Sequence, residues 1–271
     1  MKSYVSVSKI IASIAVIFVS VCGCAQSKKF SKLEILLLND EPYEESNSEV
    51  ISHIQNIDYE ANHEKITDLL FDSGNLQLLD QLVEYFPDHR NYIIRGEAYV
   101  KNARVQQTMG LFMRSSVSSS LNEAKESYMR ALELNNEDIY ARGVLGFIYG
   151  ESKEYEKAEK LFSEGLEIAP KNPRLYLALG QMYDQKEEYD NAIGYYQKII
   201  EFTEDEVKKD FEDMNQYYHK LMKYYPGSLV KVKEEAENYL NKDYAKLGIK
   251  KENAGDRVAQ TLFSRKRAEK P

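Results

Sequence analysis

The strongest constraint on the fold is a 34-residue segment that occurs twice in succession. Residues 139–172 align without gaps on residues 173–206, and Leu-Gly, Tyr, Ala and a bulky aromatic residue recur at matching positions. Each copy contains two segments of about 14 residues with the apolar spacing of a helix, separated by a short polar turn. A unit of this size buries its apolar face only when neighbouring units stack on it. The sequence therefore predicts an all-α solenoid of helix-turn-helix units.

The recurring residues resemble those of the tetratricopeptide repeat (TPR) family, which has the pattern L-G-x-x-Y…A…F/Y…P. The matched pairs are Gly146 and Gly180, Ala158 and Ala192, and Phe162 and Tyr196. Glu204 replaces the terminal proline of the pattern, so we expect the array to change character after this residue. The resemblance implies a curved solenoid in which the first helix of each repeat lines the concave side.

Composition supports a helical chain and excludes several classes of protein. The 13 glycines and 6 prolines among 271 residues are fewer than usual, which argues against all-β folds with their many turns. Two cysteines cannot form a disulfide framework or a four-thiolate zinc site. A net charge of −8 argues against a general nucleic-acid binder, which needs a basic face. We expect the 21 tyrosines to fill aromatic positions between repeats.

The first residues have the pattern of an export signal. Lys2 and Lys9 form a positive region, and Ile10 to Val21 is an apolar run of 12 residues. At ~1.5 Å per residue this run spans about 18 Å, which is less than the ~30 Å hydrocarbon core of a membrane. We therefore interpret it as the apolar part of a signal peptide.

The residues Val21-Cys22-Gly23-Cys24 resemble the lipobox of bacterial lipoproteins. The resemblance implies a signal peptide over residues 1–23 and a lipid attached to the thiol of Cys24. An ordinary secretory signal with a chance cysteine is the alternative. Ala25 follows, which in a bacterium with two membranes implies anchoring at the outer membrane, facing the periplasm. Cleavage and lipidation would leave no free thiol for catalysis.

The rest of the chain is divided into three predicted parts. Residues 24–62 are the lipidated cysteine with a tether or lead-in, residues 63–206 are the TPR-like helical repeat domain, and residues 207–271 are C-terminal capping helices and a tail. A cap is expected because an open repeat stack must cover its last apolar face. Apolar spacing predicts helices from Val207 to Tyr225 and from Leu229 to Tyr244.

Three more helices are predicted before the repeats, over about Glu64–Phe71, Leu76–Phe86 and Tyr92–Val117. The last of these follows from an insertion. Gly96 lies 28 residues before Ala124, whereas the matching pair in the repeat is 12 residues apart. The sequence therefore predicts one extended helix of about 25 residues, with its turn at residues 115–120.

Motifs for catalysis and cofactor binding are missing from the sequence. His53, His63, His89 and His219 lack the spacing of metal ligands, and neither a Walker-type GK[ST] nor a G-x-S-x-G motif occurs. The many carboxylates fall on helix positions that we expect to face solvent. We predict no catalytic residue, no metal site, no cofactor and no enzymatic activity.

The concave side of the solenoid is the predicted partner-binding groove. By position in the TPR pattern, its residues are Tyr140, Phe147, Glu151, Leu177, Gln181 and Asp184. Aromatic, apolar and acidic side chains of this kind suit an extended peptide or a partner helix. The alternative is that these residues pack against the chain's own extended helix or its C-terminal cap.

Two functions are compatible with these features. The first is a lipid-anchored periplasmic TPR adaptor that holds protein partners at the outer membrane, a plan shared by several groups of envelope-assembly lipoproteins. The second follows from a weaker resemblance of residues 75–135 to the TPR lipoproteins associated with TRAP transporters. It implies a chamber for a small apolar or organic-acid ligand, lined by Met109, Phe112 and Met113, and a periplasmic solute-binding partner. A purely structural role in an assembly is a third possibility.

Overall fold

The structure is a computed structural model, which describes residue 33 and residues 44–108, 114–207 and 229–248. These residues form ten α-helices in two compact units, divided after Leu134. The described part of the first unit contains α1 (Glu44–Gln55), α2 (Tyr59–Ser73), α3 (Leu76–Tyr85), α4 (His89–Thr108) and α5 (Arg114–Leu134). That of the second contains α6 (Ile139–Glu151), α7 (Tyr155–Ile168), α8 (Pro173–Gln185), α9 (Tyr189–Glu201) and α10 (Leu229–Lys246).

The helix boundaries of the first unit follow from local capping. The side chain of Asp58 accepts a hydrogen bond from the backbone of Ala61 and begins α2. Gly74 ends the same helix with a φ of +68°, a conformation that glycine adopts without strain. Asn75 then caps the start of α3 through the backbone N–H of Leu78. The helices predicted before the repeats at about residues 64–71 and 76–86 are therefore present, the first of them longer than predicted.

The predicted extended helix is the main correction to the fold. Tyr92 to Val117 do not form one continuous helix, because α4, described to Thr108, packs side by side with a second helix, α5, which begins at Arg114. Residues 115–120, predicted as a turn, lie inside α5. The reason is tertiary, since the hydroxyl of Ser120 is buried between Asn102 and Gln106 of α4, at 3.1 and 3.2 Å. The serine run therefore forms part of a helix pair and not of its turn.

In the second unit, α6 to α9 are two consecutive helix pairs of the predicted repeat. Asp138 and Asn172 cap the first helix of each pair, and Pro173 occupies the first turn of α8, where its missing N–H costs nothing. The glycines allow the helices of a pair to approach closely. A Cβ atom on Gly146 would lie only 2.6 Å from the ring of Phe162. The all-α solenoid class predicted from the repeat is confirmed.

The C-terminal helix α10 packs on α9 and α8 and covers the last repeat. Its buried residues recur every three or four positions and include Val232, Ala236, Leu240 and Tyr244. The predicted helix from Leu229 to Tyr244 is therefore present and acts as the expected cap. Of the other predicted C-terminal helix, residues 207–225, only Val207 lies within the described residues, and its side chain is buried.

The N-terminal part adds one helix that the sequence did not predict. Within the lead-in of residues 24–62, α1 buries Val50, Ile51 and Ile54. Residues 1–23 and Cys24 lie outside the described residues, so the signal peptide, the lipidation and the part boundaries stay predictions. Among the helices that are described, none is long and apolar enough to cross a membrane.

Candidate binding cleft of the second unit

The second unit contains a cleft of about 280 Å³ between the first helices of its two repeats and the C-terminal helix. The cleft arises because α6 and α8 lie side by side, as repeat stacking requires, while α10 forms a third wall. Most of its lining is apolar. The lining residues are Ile139, Tyr140, Gly143, Val144, Phe147, Asn172, Arg174, Leu175, Leu177, Ala178, Gln181, Val232 and Glu235.

Four of the six predicted groove residues line this cleft, namely Tyr140, Phe147, Leu177 and Gln181. Phe147 lines the cleft and is 37% exposed, which is a large fraction for a phenylalanine. The position rule of the repeat therefore brings these side chains together. Their role in binding stays a prediction.

The remaining two predicted groove residues, Glu151 and Asp184, lie outside the cleft. The carboxylate of Glu151 accepts a hydrogen bond of 2.6 Å from Gln185 and borders a much smaller recess beside the cleft. Asp184 forms an ion pair with Lys246 of α10 and is only 14% exposed. One end of the predicted groove is therefore occupied by the chain's own cap.

Helix α10 also contacts the cleft itself. The side-chain amide of Gln181 donates to the hydroxyl of Tyr239 at 3.2 Å and approaches the carboxylate of Glu235 at 3.4 Å. Val232 and Glu235 complete the lining from the side of the cap. Of the predicted groove residues, some thus line the cleft and others contact α10, while their role in binding stays a prediction.

A buried group of ionisable residues lies between α10 and α8. The side chain of Asp243 is fully buried, and one of its carboxylate oxygens lies 3.2 Å from the Nζ atom of Lys246. Burial, and next to it the negative charge of Asp184, raise the pKa of Asp243 to about 6, although Lys246 partly opposes the change. Burial likewise raises the pKa of Tyr196, whose hydroxyl lies in the same interface.

This ionisable group was not predicted from the sequence. The signal for it is present in the sequence, because Asp243 continues the apolar spacing of Val232, Ala236 and Leu240 along one face of α10. A charged residue on the buried face of an amphipathic helix is unusual and costs free energy unless it is paired. Such a position is one where a structural or functional role should be sought.

A second group of polar residues, also missed, lies in the first unit. The guanidinium of Arg95 donates to Asp80 at 2.7 Å and to Glu123 at 2.6 Å, and it lies over the ring of Tyr99. The hydroxyl of Tyr99 donates in turn to Asp80 at 2.9 Å. These contacts join α3, α4 and α5, so their effect is structural. Met109, Phe112 and Met113, the residues predicted for the alternative ligand chamber, lie outside the described residues.

The chemistry available in the cleft is that of binding. Its apolar walls can take an apolar side chain out of water, while Asn172, Arg174, Gln181 and Glu235 place polar atoms at its borders. Groups of three or more His, Cys, Asp or Glu side chains that could hold a metal ion do not occur within the described ranges.

Comparison with known protein families identifies the repeats and their residue ranges. A family model described as tetratricopeptide repeat matches residues 118–182, and a second model with the same description matches residues 173–206. Residues 118–206 therefore contain tetratricopeptide repeats, as their sequence pattern predicted. No protein of curated function matches the sequence significantly.

Several solved structures are similar to the chain at low sequence identity. A crystal structure of the MamA protein is 18% identical with a TM-score of 0.40, and the alignment covers 74% of this chain and 94% of MamA. A second MamA structure is 20% identical, with a TM-score of 0.40 and coverages of 70% and 98%. A thermophilic TPR protein of Thermus thermophilus is 18% identical, with a TM-score of 0.40 and coverages of 79% and 98%.

Proposed function

We propose that the chain is a lipid-anchored periplasmic scaffold, attached to the outer membrane, that holds protein partners through the cleft of its second unit. The observation that carries this proposal is the cleft itself, an apolar depression of about 280 Å³ between the first helices of the two repeats. Repeats of this family provide surfaces for protein–protein interaction, and their stacking creates extended concave faces.

The shape and lining of the cleft suit one or two apolar side chains of a peptide or helix. Tyr140, Phe147 and Leu177 lie on neighbouring first helices of the two repeats, so a bound segment would contact both repeats at once. Full burial of one aliphatic or aromatic side chain contributes about 1.5–3 kcal/mol. A few such anchors, surrounded by weaker polar contacts, are the usual source of affinity at protein interfaces.

The anchoring part of the proposal rests on the N-terminal sequence. The apolar run that ends at Val21, followed by Cys22-Gly23-Cys24, is similar to the leader of bacterial lipoproteins. A lipid on Cys24 would tether the helical units to a membrane surface. This arrangement would keep the cleft close to partners in the same envelope compartment.

Site-specific photo-crosslinking in the native cell tests the scaffold. A photoreactive amino acid is placed in the full-length chain at Leu177 or Phe147 in the cleft, and at Lys160 as control. The side chain of Lys160 is 76% exposed on α7 and does not line the cleft. We expect a discrete crosslinked protein from the two cleft positions and none from position 160. Equal crosslinking at all three positions, or none, would contradict the proposal.

A second candidate function is the carriage of a small apolar or organic-acid ligand for a TRAP-type transporter. It rests on the weaker resemblance of residues 75–135 and would use the chamber predicted at Met109, Phe112 and Met113, which is separate from the cleft of the second unit. Native mass spectrometry of the full-length chain purified from its own host distinguishes the two functions. A retained small molecule at one equivalent favours the carrier, and a retained protein favours the scaffold.

A further inference from the structure

The interface between α10 and the last repeat contains a charge imbalance. Asp184 of α8 and Asp243 of α10 both contact the ammonium group of Lys246. Two carboxylates therefore share one cation, so the group has one negative charge in excess when both are ionised. Asp243 is fully buried and Asp184 nearly so, which means that water screens this charge poorly.

Hydrogen bonding does not compensate for the excess charge. The second carboxylate oxygen of Asp243 is buried and has no hydrogen-bond partner among the described residues, and neither has the buried hydroxyl of Tyr196. A buried carboxylate oxygen without a partner is costly when ionised. When Asp243 is protonated, the same carboxyl group can donate a hydrogen bond to a neighbouring acceptor, and the nearby carboxylate of Asp184 is one.

Among the described residues, the other groups that face Asp243 do not supply the missing positive charge. From α9, Tyr196 faces the group as a neutral phenol. The ring of Tyr189 lies under Lys246, with its centroid 4.3 Å from the Nζ atom. Along α10, Glu235 and Tyr239 interact with Tyr196 and add negative or neutral groups. The net charge around Asp243 is therefore determined by Asp184, Asp243 and Lys246.

We propose that α10 is a proton-sensitive cap, docked firmly on α8 and α9 when Asp243 is protonated and more loosely when it is ionised. Apolar contacts of Val232, Ala236 and Leu240 hold the helix at either pH, together with hydrogen bonds from Gln197 to the hydroxyl of Tyr244 and from Lys233 to the backbone carbonyl of Ile200. Protonation changes the strength of docking and not the identity of the contacts.

The direction of the pH dependence follows from which state of α10, docked or undocked, binds the proton more tightly. In the docked state the pKa of Asp243 is about 6, against 3.8 for the exposed side chain. The docked state therefore binds a proton that the undocked helix has released, and docking is favoured at low pH. The stabilisation is complete below pH 3.8 and is lost as the pH rises through 6. Between pH 5 and pH 7.5 the docking equilibrium falls by about tenfold.

A consequence for the cleft rests on the proposed function. Val232 and Glu235 of α10 form one wall of the cleft, so loosening of the cap at higher pH would widen the site that is proposed to hold partners. The docking itself does not depend on that function, because it concerns only contacts within the second unit.

Hydrogen exchange of the full-length chain, followed by mass spectrometry, measures docking directly. The protection factor of peptides from Leu229–Lys246 is compared between pH 5 and pH 7.5 after correction for intrinsic exchange, with peptides from α6 as internal reference. We expect a fall of about tenfold in α10 and little change in α6. Asp243→Asn, which mimics the protonated side chain, should give the same protection at both pH values.

Two further variants make the test specific. Glu237→Gln removes an exposed carboxylate from the same helix and should keep the tenfold dependence of the wild type. In Asp184→Asn, Asp243 is the only carboxylate of the two that still pairs with Lys246. The difference in α10 protection between pH 5 and pH 7.5 should therefore become smaller. The proposal is overturned if wild-type protection in α10 is the same at pH 5 and pH 7.5, or if Asp243→Asn retains the full dependence. Neither result bears on crosslinking from Leu177, so the two proposals fail separately.

Discussion

The aromatic ring of Tyr196 lies against the backbone of Gly180, in the space that a side chain at position 180 would occupy. Tyr196 is itself fully buried, with its ring stacked 5.3 Å from that of Tyr239 in the cap. One tyrosine therefore connects three helices, because it fills the gap left by the glycine of α8, belongs to α9 and contacts α10. The repeat pattern places glycine and aromatic residues at these two positions for this close approach.

Gly180→Ala should destabilise the second unit. The new methyl group would overlap the ring of Tyr196, which is held between Gly180 and the cap and has little room to move. Overpacking of this kind costs about 1–3 kcal/mol, which outweighs the ~1 kcal/mol that alanine gains over glycine in a helix. Urea unfolding of the full-length chain, monitored by circular dichroism, gives the change in the free energy of unfolding.

Gly194→Ala is the matched control for that prediction. Gly194 lies in the neighbouring helix α9, and no described atom would come within 4 Å of a Cβ there. We expect the same substitution to stabilise the protein by about 0.5–1 kcal/mol, since only helix propensity changes. If both variants changed stability by the same amount, the packing role of Gly180 would be refuted.

Arg95→Lys should destabilise the first unit by about 1–2 kcal/mol. The guanidinium is 11% exposed and binds Asp80, Glu123 and the hydroxyl of Ser127 in three directions, at 2.7, 2.6 and 2.5 Å. Burial alone would lower the pKa of Arg95, but the hydrogen bonds to Glu123 and Asp80 raise it above its usual value. A lysine cannot make them all, because its ammonium lacks the planar fork of the guanidinium.

The control for Arg95 is Arg130→Lys. Arg130 lies on α5 and pairs with Glu133, but its side chain is 56% exposed. Exposed pairs of this kind contribute little, so no measurable change in the midpoint of thermal unfolding is expected. If Arg130→Lys destabilised the protein as much as Arg95→Lys, charge and not the buried geometry would determine the effect at both positions.

The repeats could be predicted from the sequence because their signals are local and recur. Each of α6 to α9 has its own apolar spacing, and Pro173 and Asn172 mark a boundary that any chain with these residues would favour. The helix pair α4 and α5 could not be placed correctly for the opposite reason. A serine run is typical of turns, but Ser120 and Ser127 form hydrogen bonds that exist only when α5 lies against α4.

The candidate site was predictable in part for the same physical reason. Position within the repeat fixes which face of a helix a residue occupies, so Tyr140, Phe147 and Leu177 could be assigned to one surface. What covers that surface depends on the path of the chain after α9, which no local pattern encodes. The contacts of Asp184 with Lys246 join residues 62 positions apart and were therefore beyond sequence reasoning.

Phe147→Glu should weaken binding of a protein partner without unfolding the repeats. The ring is 37% exposed at the cleft, so a carboxylate there can reach water in the free protein but would be buried by a bound apolar side chain. We expect a loss of about 10- to 100-fold in affinity, the usual effect at an interface anchor. The partner crosslinked at Leu177, once purified, is titrated against the full-length variant by calorimetry.

Ile168→Glu provides the comparison for the cleft. Ile168 is a large apolar residue of similar exposure, 40%, on α7 and does not line the cleft. Its substitution should leave the affinity unchanged. If Ile168→Glu weakened binding as much as Phe147→Glu, the partner would occupy a wider or different surface, and the cleft would not be its site.

The proposed lipid anchor predicts that Cys24→Ser abolishes lipid attachment. Cys24 occupies the obligatory position of the lipobox pattern, whereas Cys22 occupies a position where other small residues also fit, so Cys22→Ala serves as control. We expect labelled palmitate to be incorporated into the wild type and Cys22→Ala, and not into Cys24→Ser. Unlabelled wild-type protein with a cleaved leader would instead identify an ordinary secretory signal.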